Sequence, residues 1–115
     1  MVITLPYPPS LNRYYRRVGQ RTLISKQGRD YRTAICKAAK VPAPFEGRLD
    51  VSVLVSPPDR RRRDLDNTLK ALLDSLQHAG VYLDDSQIDR LLVERSKMIK
   101  GGQVEVVIVE MEAAA

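Results

Sequence analysis

Leu49, Val51, Val53 and Val55 alternate with Asp50, Ser52, Leu54 and Ser56, a period of two that predicts a half-buried strand closed by Pro57-Pro58. Helical spacing then takes over. Leu65, Leu69, Leu72, Leu73, Leu76 and Ala79 fall on one stripe, and Gly80 supplies a C-terminal stop. Upstream, residues 1–5 read as a short strand ended by Pro6, Pro8 and Pro9, because proline has no N–H to give a ladder. Residues 14–25, with Val18-Gly19-Gln20 at their centre, predict a small hairpin or an extended arm. Ser25 is placed to cap a helix over residues 26–40. Tyr31, Ala34, Ile35, Ala38 and Ala39 form its apolar side, Gly28 weakens its first turn, and Pro42 and Pro44 break the chain beyond it. Residues 81–86 read as a loop. Two strands follow, over residues 90–99 and 104–111, joined as a hairpin by Lys100-Gly101-Gly102, and residues 112–115 read as a frayed tail.

This order predicts an α+β fold: a single small domain, residues 1–115, with a mixed sheet and two main helices. The chain has 115 residues, too few for two independent cores. One phenylalanine and no tryptophan leave a core of Val, Leu, Ile and Ala, thin enough that a partner subunit is expected to add stability. No charged-then-apolar leader opens the sequence, and no apolar run approaches the ~20 residues that span a bilayer, so a soluble, cytoplasmic protein with no membrane partner is expected. A lone Cys36 excludes an intrachain disulfide, and its alanine neighbours predict a buried small hydrophobe.

Charge sharpens the picture. The net charge is +5, and residues 11–40 carry nine basic side chains against one acid, Asp30. Grouped carboxylates come later. A basic half able to grip phosphate, followed by clustered acids, is the division of labour of a nuclease.

The chemistry concentrates in Pro57 to Lys70, PPDRRRRDLDNTLK. Guanidinium forks match phosphate oxygens, and adjacent carboxylates hold a divalent cation against that same phosphate. Asp66, Asn67 and Lys70 share the helix face opposite the leucine stripe. A plain explanation stands beside this one: Asp64 caps the helix, Asp66 is a first-turn acid, and Lys70 pairs with Asp66 or Asp74. The second acidic pair, Asp84-Asp85, tips the balance towards an all-oxygen metal site, since like charges side by side invite a cation. His78 is the only histidine and sits where a helix end favours it, which excludes zinc. From Asp66 to Gly80 a helix rises ~21 Å, whereas five extended residues return at most ~17 Å. Asp85 therefore reaches Asp64 and Asp66 within one chain only if residues 81–85 run almost straight back, which is the route favoured; otherwise it comes from a second subunit. Arg13, Arg16, Arg17, Arg21, Lys26, Arg29, Arg32 and Arg60 to Arg63 are candidates for contacts with a DNA backbone. Tyr14, Tyr15 and Tyr31 either stack on bases or pack against the fold.

The run DRRRRDLD from Asp59 to Asp66, its continuation to Lys70 and the later Leu83-Asp84-Asp85 resemble the central signature of the RusA-type Holliday junction resolvases, spacing included. Leu5-Pro6-Tyr7-Pro8-Pro9-Ser10, Asn12-Arg13-Tyr14-Tyr15-Arg16, Ser25, Gly28, Tyr31-Arg32 and Lys100-Gly101-Gly102 extend the likeness over nearly the whole chain. It is weakest between Lys40 and Gly47. The resemblance implies a homodimeric endonuclease that resolves four-way DNA junctions by paired symmetric nicks in recombination and repair. It implies Mg2+, with Mn2+ as a substitute, and no organic cofactor. Metal ligands would be Asp64, Asp66 and Asp85, with Lys70 as a further catalytic group and Asn67 and Asp84 in support. Two rivals stay open here: a non-catalytic branched-DNA-binding protein with a structural cation, and a nuclease for flaps or forks.

Overall fold

Nine elements follow one another in the computed structural model, which describes residues 1–112: β1 Val2–Pro6, α1 Leu11–Tyr14, β2 Tyr15–Val18, β3 Arg21–Ile24, α2 Lys26–Ala38, β4 Leu49–Ser56, α3 Leu69–His78, β5 Ile88–Arg95 and β6 Gln103–Glu110. The tail expected over residues 112–115 lies largely outside the described residues. A four-stranded mixed sheet runs in the order β1-β6-β4-β5, while β2 and β3 form a separate two-stranded arm. The α+β assignment holds.

Strand alternation does what the sequence predicts. Leu49, Val51, Val53 and Val55 are at most 3% exposed, packed with Val104, Val106, Ile108, Tyr31, Ile35, Leu72 and Leu76. The strand side chains among them share one face of the sheet, and α2 and α3 cover it with Tyr31, Ile35, Leu72 and Leu76. The other face carries Ser52, Leu54, Leu92 and Glu94, with Leu54 and Leu92 exposed.

Three expectations need correction. The last two strands do not form a hairpin, because β4 lies between them: β5 pairs with it in parallel and β6 antiparallel. The Gly101-Gly102 turn is real, with φ of 81° and 72°, but it belongs to a connection, residues 96–102, that crosses the end of β4. Parallel neighbours cannot be joined by a tight turn, so α3 is the crossover from β4 to β5. The second predicted helix is also not continuous. Leu65–Thr68 form a 3-10 turn before α3 begins, so Asp66 and Asn67 stand on the tighter winding. Cys36 is exposed, because α2 buries Gly28, Tyr31 and Ile35 and Cys36 is a third of a turn round from that stripe. Among the described residues no helix is long and apolar enough to cross a membrane.

Two local devices fix what surrounds the site. Ser25 caps α2 as expected, its hydroxyl oxygen accepting from the Gly28 N–H at 2.9 Å. At the far end of α3, the buried Gln87 amide makes four bonds. Its oxygen accepts from the N–H groups of Leu83 (2.8 Å) and Asp84 (2.9 Å), and its nitrogen donates to the carbonyls of Phe45 and Gly47, both at 2.9 Å. Asp84 and Gln87 form a capping box, a pattern readable as Asp84-x-x-Gln87 but passed over in the sequence.

Candidate active site

β4 delivers the chain into the arginine-rich loop, and the loop turns on Asp59. That carboxylate accepts from the Arg61 backbone N–H at 3.0 Å and from Arg63 Nη2 at 2.9 Å, and it pairs with Arg61 Nε at 3.3 Å. The backbone bond from Arg61 and then the Arg63 contact hold Asp59 below the usual carboxylate range. The four arginines are therefore not equivalent. Arg63 turns inward, its guanidinium 5.8 Å from the centre of the Tyr7 ring. Tyr7 is in turn backed by Gly102, where a Cβ would come within 2.9 Å of the ring. Arg60 and Arg62 are exposed and, among the described residues, without an ion pair.

Next come the acids. Asp64 occupies the position that caps the 3-10 turn, yet its side chain makes no capping bond; only its carbonyl accepts, from the Asn67 N–H at 3.3 Å. Asp66, Asn67 and Lys70 are exposed. No ion pair involves Asp64, Asp66 or Lys70 among the described residues. The plain explanation thus holds in part: Asp66 is a first-turn acid, whereas the Asp64 side chain does not cap and Lys70 makes no ion pair among the described residues. Asp74, the other possible partner of Lys70, is taken by Tyr14 and Arg32.

Asp85 stands elsewhere. Its N–H donates to Gln77 Oε1 at 3.0 Å, beside the last turn of α3. It precedes β5 by three residues, whereas Arg95, which closes β5, donates to the carbonyl of Arg63 next to Asp64. Asp85 and Asp64 therefore lie towards opposite ends of an eight-residue strand, roughly 23 Å long at ~3.3 Å per residue. The favoured intrachain route is not taken. Residues 81–85 do not run back along α3, because Phe45 pairs in parallel with Tyr82 and the Phe45 N–H donates to the Val81 carbonyl at 2.9 Å, steering the chain into β5. Asp84 is spent locally, accepting from the Ser86 N–H at 2.9 Å.

A cleft of about 920 Å³ opens beside Asp64 and Asn67. Tyr7, Pro8 and Pro9 form one wall, with Arg13 and residues Arg61 to Arg63 facing it. The sequence marks this stretch only as the end of a strand and as part of the family likeness, which gives no hint of its place in the cleft wall. Arg13, Arg16 and Arg17 are exposed at the root and along the first strand of the arm. The tyrosines divide. Tyr14 is wholly buried and Tyr31 is 7% exposed, its hydroxyl donating to the Pro6 carbonyl at 2.8 Å, so both pack instead of stacking on bases. Tyr15 is half-buried against the edge of Tyr14, with ring centres 4.9 Å apart.

As donors, Asp64 and Asp66 suit a hard divalent cation: carboxylate oxygens with no protein partner, next to phosphate-matching arginines. Among the described residues, no group of three or more His, Cys, Asp or Glu is placed to hold an ion.

The chain as a whole is similar to known proteins. The family profile "Endodeoxyribonuclease RusA" matches residues 6–109. The chain is 46% identical over 112 residues to a crossover junction endodeoxyribonuclease of Enterobacteria phage HK97, covering 95% of this chain and 93% of that relative. It is likewise 46% identical over 112 residues to the RusA protein of Shigella sonnei strain Ss046. With the RusA protein of Escherichia coli K12 the identity is 44% over 116 residues. Motif, cleft and near full-length similarity agree: the chain belongs to the RusA family of endodeoxyribonucleases.

Proposed function

We propose that this chain is a magnesium-dependent crossover junction endodeoxyribonuclease, acting as a two-fold homodimer that nicks opposite strands of a four-way DNA junction. The observation that carries this reading is a pair of unspent carboxylates in a chain of this family: Asp64, which lines an arginine-walled cleft, and Asp66, two residues on in the 3-10 turn.

Support for a dimer comes from β5. It is an edge strand exposed along most of its length, and Leu91 is 40% exposed although it faces the same side as the buried Val51. Pairing two β5 edges about a two-fold axis runs them antiparallel, bringing the Asp85 end of one chain towards the Asp64 end of the other. Each site would then draw Asp64 and Asp66 from one subunit and Asp85 from its partner. Mn2+ should substitute, since it shares the preference for oxygen ligands. A cation held there supplies a Lewis acid that offsets charge on the scissile phosphate and makes water a better nucleophile. The chain's own groups do the rest. Lys70, one turn beyond Asp66, donates to the scissile phosphate or the leaving 3′ oxygen as charge builds. Arg13, Arg16, Arg17, Arg60 and Arg62 hold flanking phosphates, and Asn67 supports the strand in the cleft.

Cleavage of four-way, three-way and linear DNA by wild type and Asp66→Asn, with and without magnesium, tests the reading. Metal-dependent cutting confined to the four-way junction and lost in Asp66→Asn is the expected result. Equal cutting of linear duplex would remove junction resolution. Tight junction binding with no cutting by the wild type in either metal would leave a binding protein.

A further inference from the structure

Lys70 and Asp74 are four residues apart on α3, the spacing at which a lysine and an acid reach each other along a helix. They make no ion pair. Asp74 is instead closed into a ring with two side chains from other elements. Its Oδ2 accepts from the Tyr14 hydroxyl and from Arg32 Nη2 at 2.6 Å, and Arg32 Nε donates to the Tyr14 oxygen at 2.8 Å. Tyr14 is wholly buried, and the side chains of Arg32 and Asp74 are only 24% and 22% exposed. The Arg32 guanidinium also lies 5.7 Å from the Tyr14 ring centre. Charge-assisted bonds sheltered in this way outweigh a contact between Asp74 and an exposed lysine, which water and salt screen.

We propose that Arg32 and Tyr14 are positioning residues: they hold the Asp74 carboxylate away from Lys70, so that the lysine ammonium stays free for a DNA phosphate. Burial alone would raise the Asp74 pKa, but the bonds from Tyr14 and Arg32, with the least contribution from the Lys70 charge acting at a distance, bring it below the usual carboxylate range, so the group remains an anion that must be kept occupied. Without the ring, Asp74 would join Asp66, equally four residues from Lys70, as a competitor for the lysine. Tyr14 also ends α1, immediately before the arm, so the ring ties the root of the DNA-gripping hairpin to the helix that carries Lys70.

The inference rests on the role given to Lys70, and suppression tests it. Arg32→Gln should lower kcat on a four-way junction by about tenfold or more while KM and junction affinity move less than about threefold. Adding Asp74→Asn to Arg32→Gln should restore kcat to within about threefold of wild type, because the competing anion is gone. Tyr14→Phe, which removes one oxygen and keeps the packing, should show a smaller loss that Asp74→Asn also suppresses. It carries the test if Arg32→Gln does not fold. A purely structural ring predicts the opposite, a double variant no better than Arg32→Gln, and that result overturns the proposal. So does full activity in Arg32→Gln. Lys70→Ala separates the two levels. Wild-type cleavage by Lys70→Ala removes the lysine's role itself, whereas lysine-dependent cleavage without suppression removes only the Asp74 device.

Discussion

Gly28 lies beneath the backbone carbonyl of Tyr14, where a Cβ on the glycine would stand 2.5 Å from the oxygen and 2.8 Å from Ile24 Cγ2. Helix α2 therefore passes the root of the arm at a distance only glycine permits. An alanine inside a helix ordinarily stabilises by about 1 kcal/mol relative to glycine. Here the sign should reverse, because a backbone oxygen cannot step aside. Gly28→Ala is expected to cost about 1–3 kcal/mol in urea unfolding, in line with other overpacked sites.

Chain mixing checks the shared site. In a heterodimer of one Asp66→Asn chain and one Asp85→Asn chain, a composite arrangement leaves one site with both defects and the other intact. The mixture should nick one strand of a junction although each parent homodimer is inert. If every site were built within one chain, both sites would carry a defect and the mixture would stay silent. Gel analysis of the nicked strand decides.

The arginine loop should split by function. Arg60→Ala and Arg62→Ala should each lower the slope of log affinity against log salt by about 1, as lost phosphate contacts do. Arg63→Ala should act first on the melting temperature, because that side chain bridges Asp59 and the Tyr7 ring.

Acid should weaken the Tyr14–Arg32–Asp74 ring. The Asp74 pKa is depressed in the folded protein, so its stabilisation is complete above the unfolded carboxylate value of about 3.9 and is lost as pH falls through the lower folded value. Asp74→Asn should flatten stability against pH below about pH 4 while changing it little in shape near neutrality. An unchanged acid limb in urea titrations would show that the ring carries no such linkage.

Much of this architecture was legible before any coordinates, and the exceptions share a cause. Val51 and Val53 announce a half-buried strand by alternation, and Ser25 announces a helix start by its hydroxyl; both signals are local. The partner of β5 is not a local property. Lys100-Gly101-Gly102 has the composition of a hairpin turn, but only the packing of α3 across the sheet decides that β4 lies between β5 and β6. The motif acids were readable by type and spacing, while their meeting place was not, because Phe45, more than thirty positions away, steers residues 81–87 through its bridge to Tyr82 and the bond its carbonyl accepts from Gln87. Tyr14 illustrates the same limit: an aromatic among arginines suggests a base-stacking surface, and its burial depends on Asp74, sixty residues on.

Strand β5 keeps Asp85 and Asp64 a strand's length apart in each polypeptide, and on the composite reading this makes dosage a control. Below the dimer dissociation constant, cutting would scale with the square of the number of chains. A cell holding few copies would then leave its branched DNA alone, and modest overproduction would bring a disproportionate rise in strand breakage.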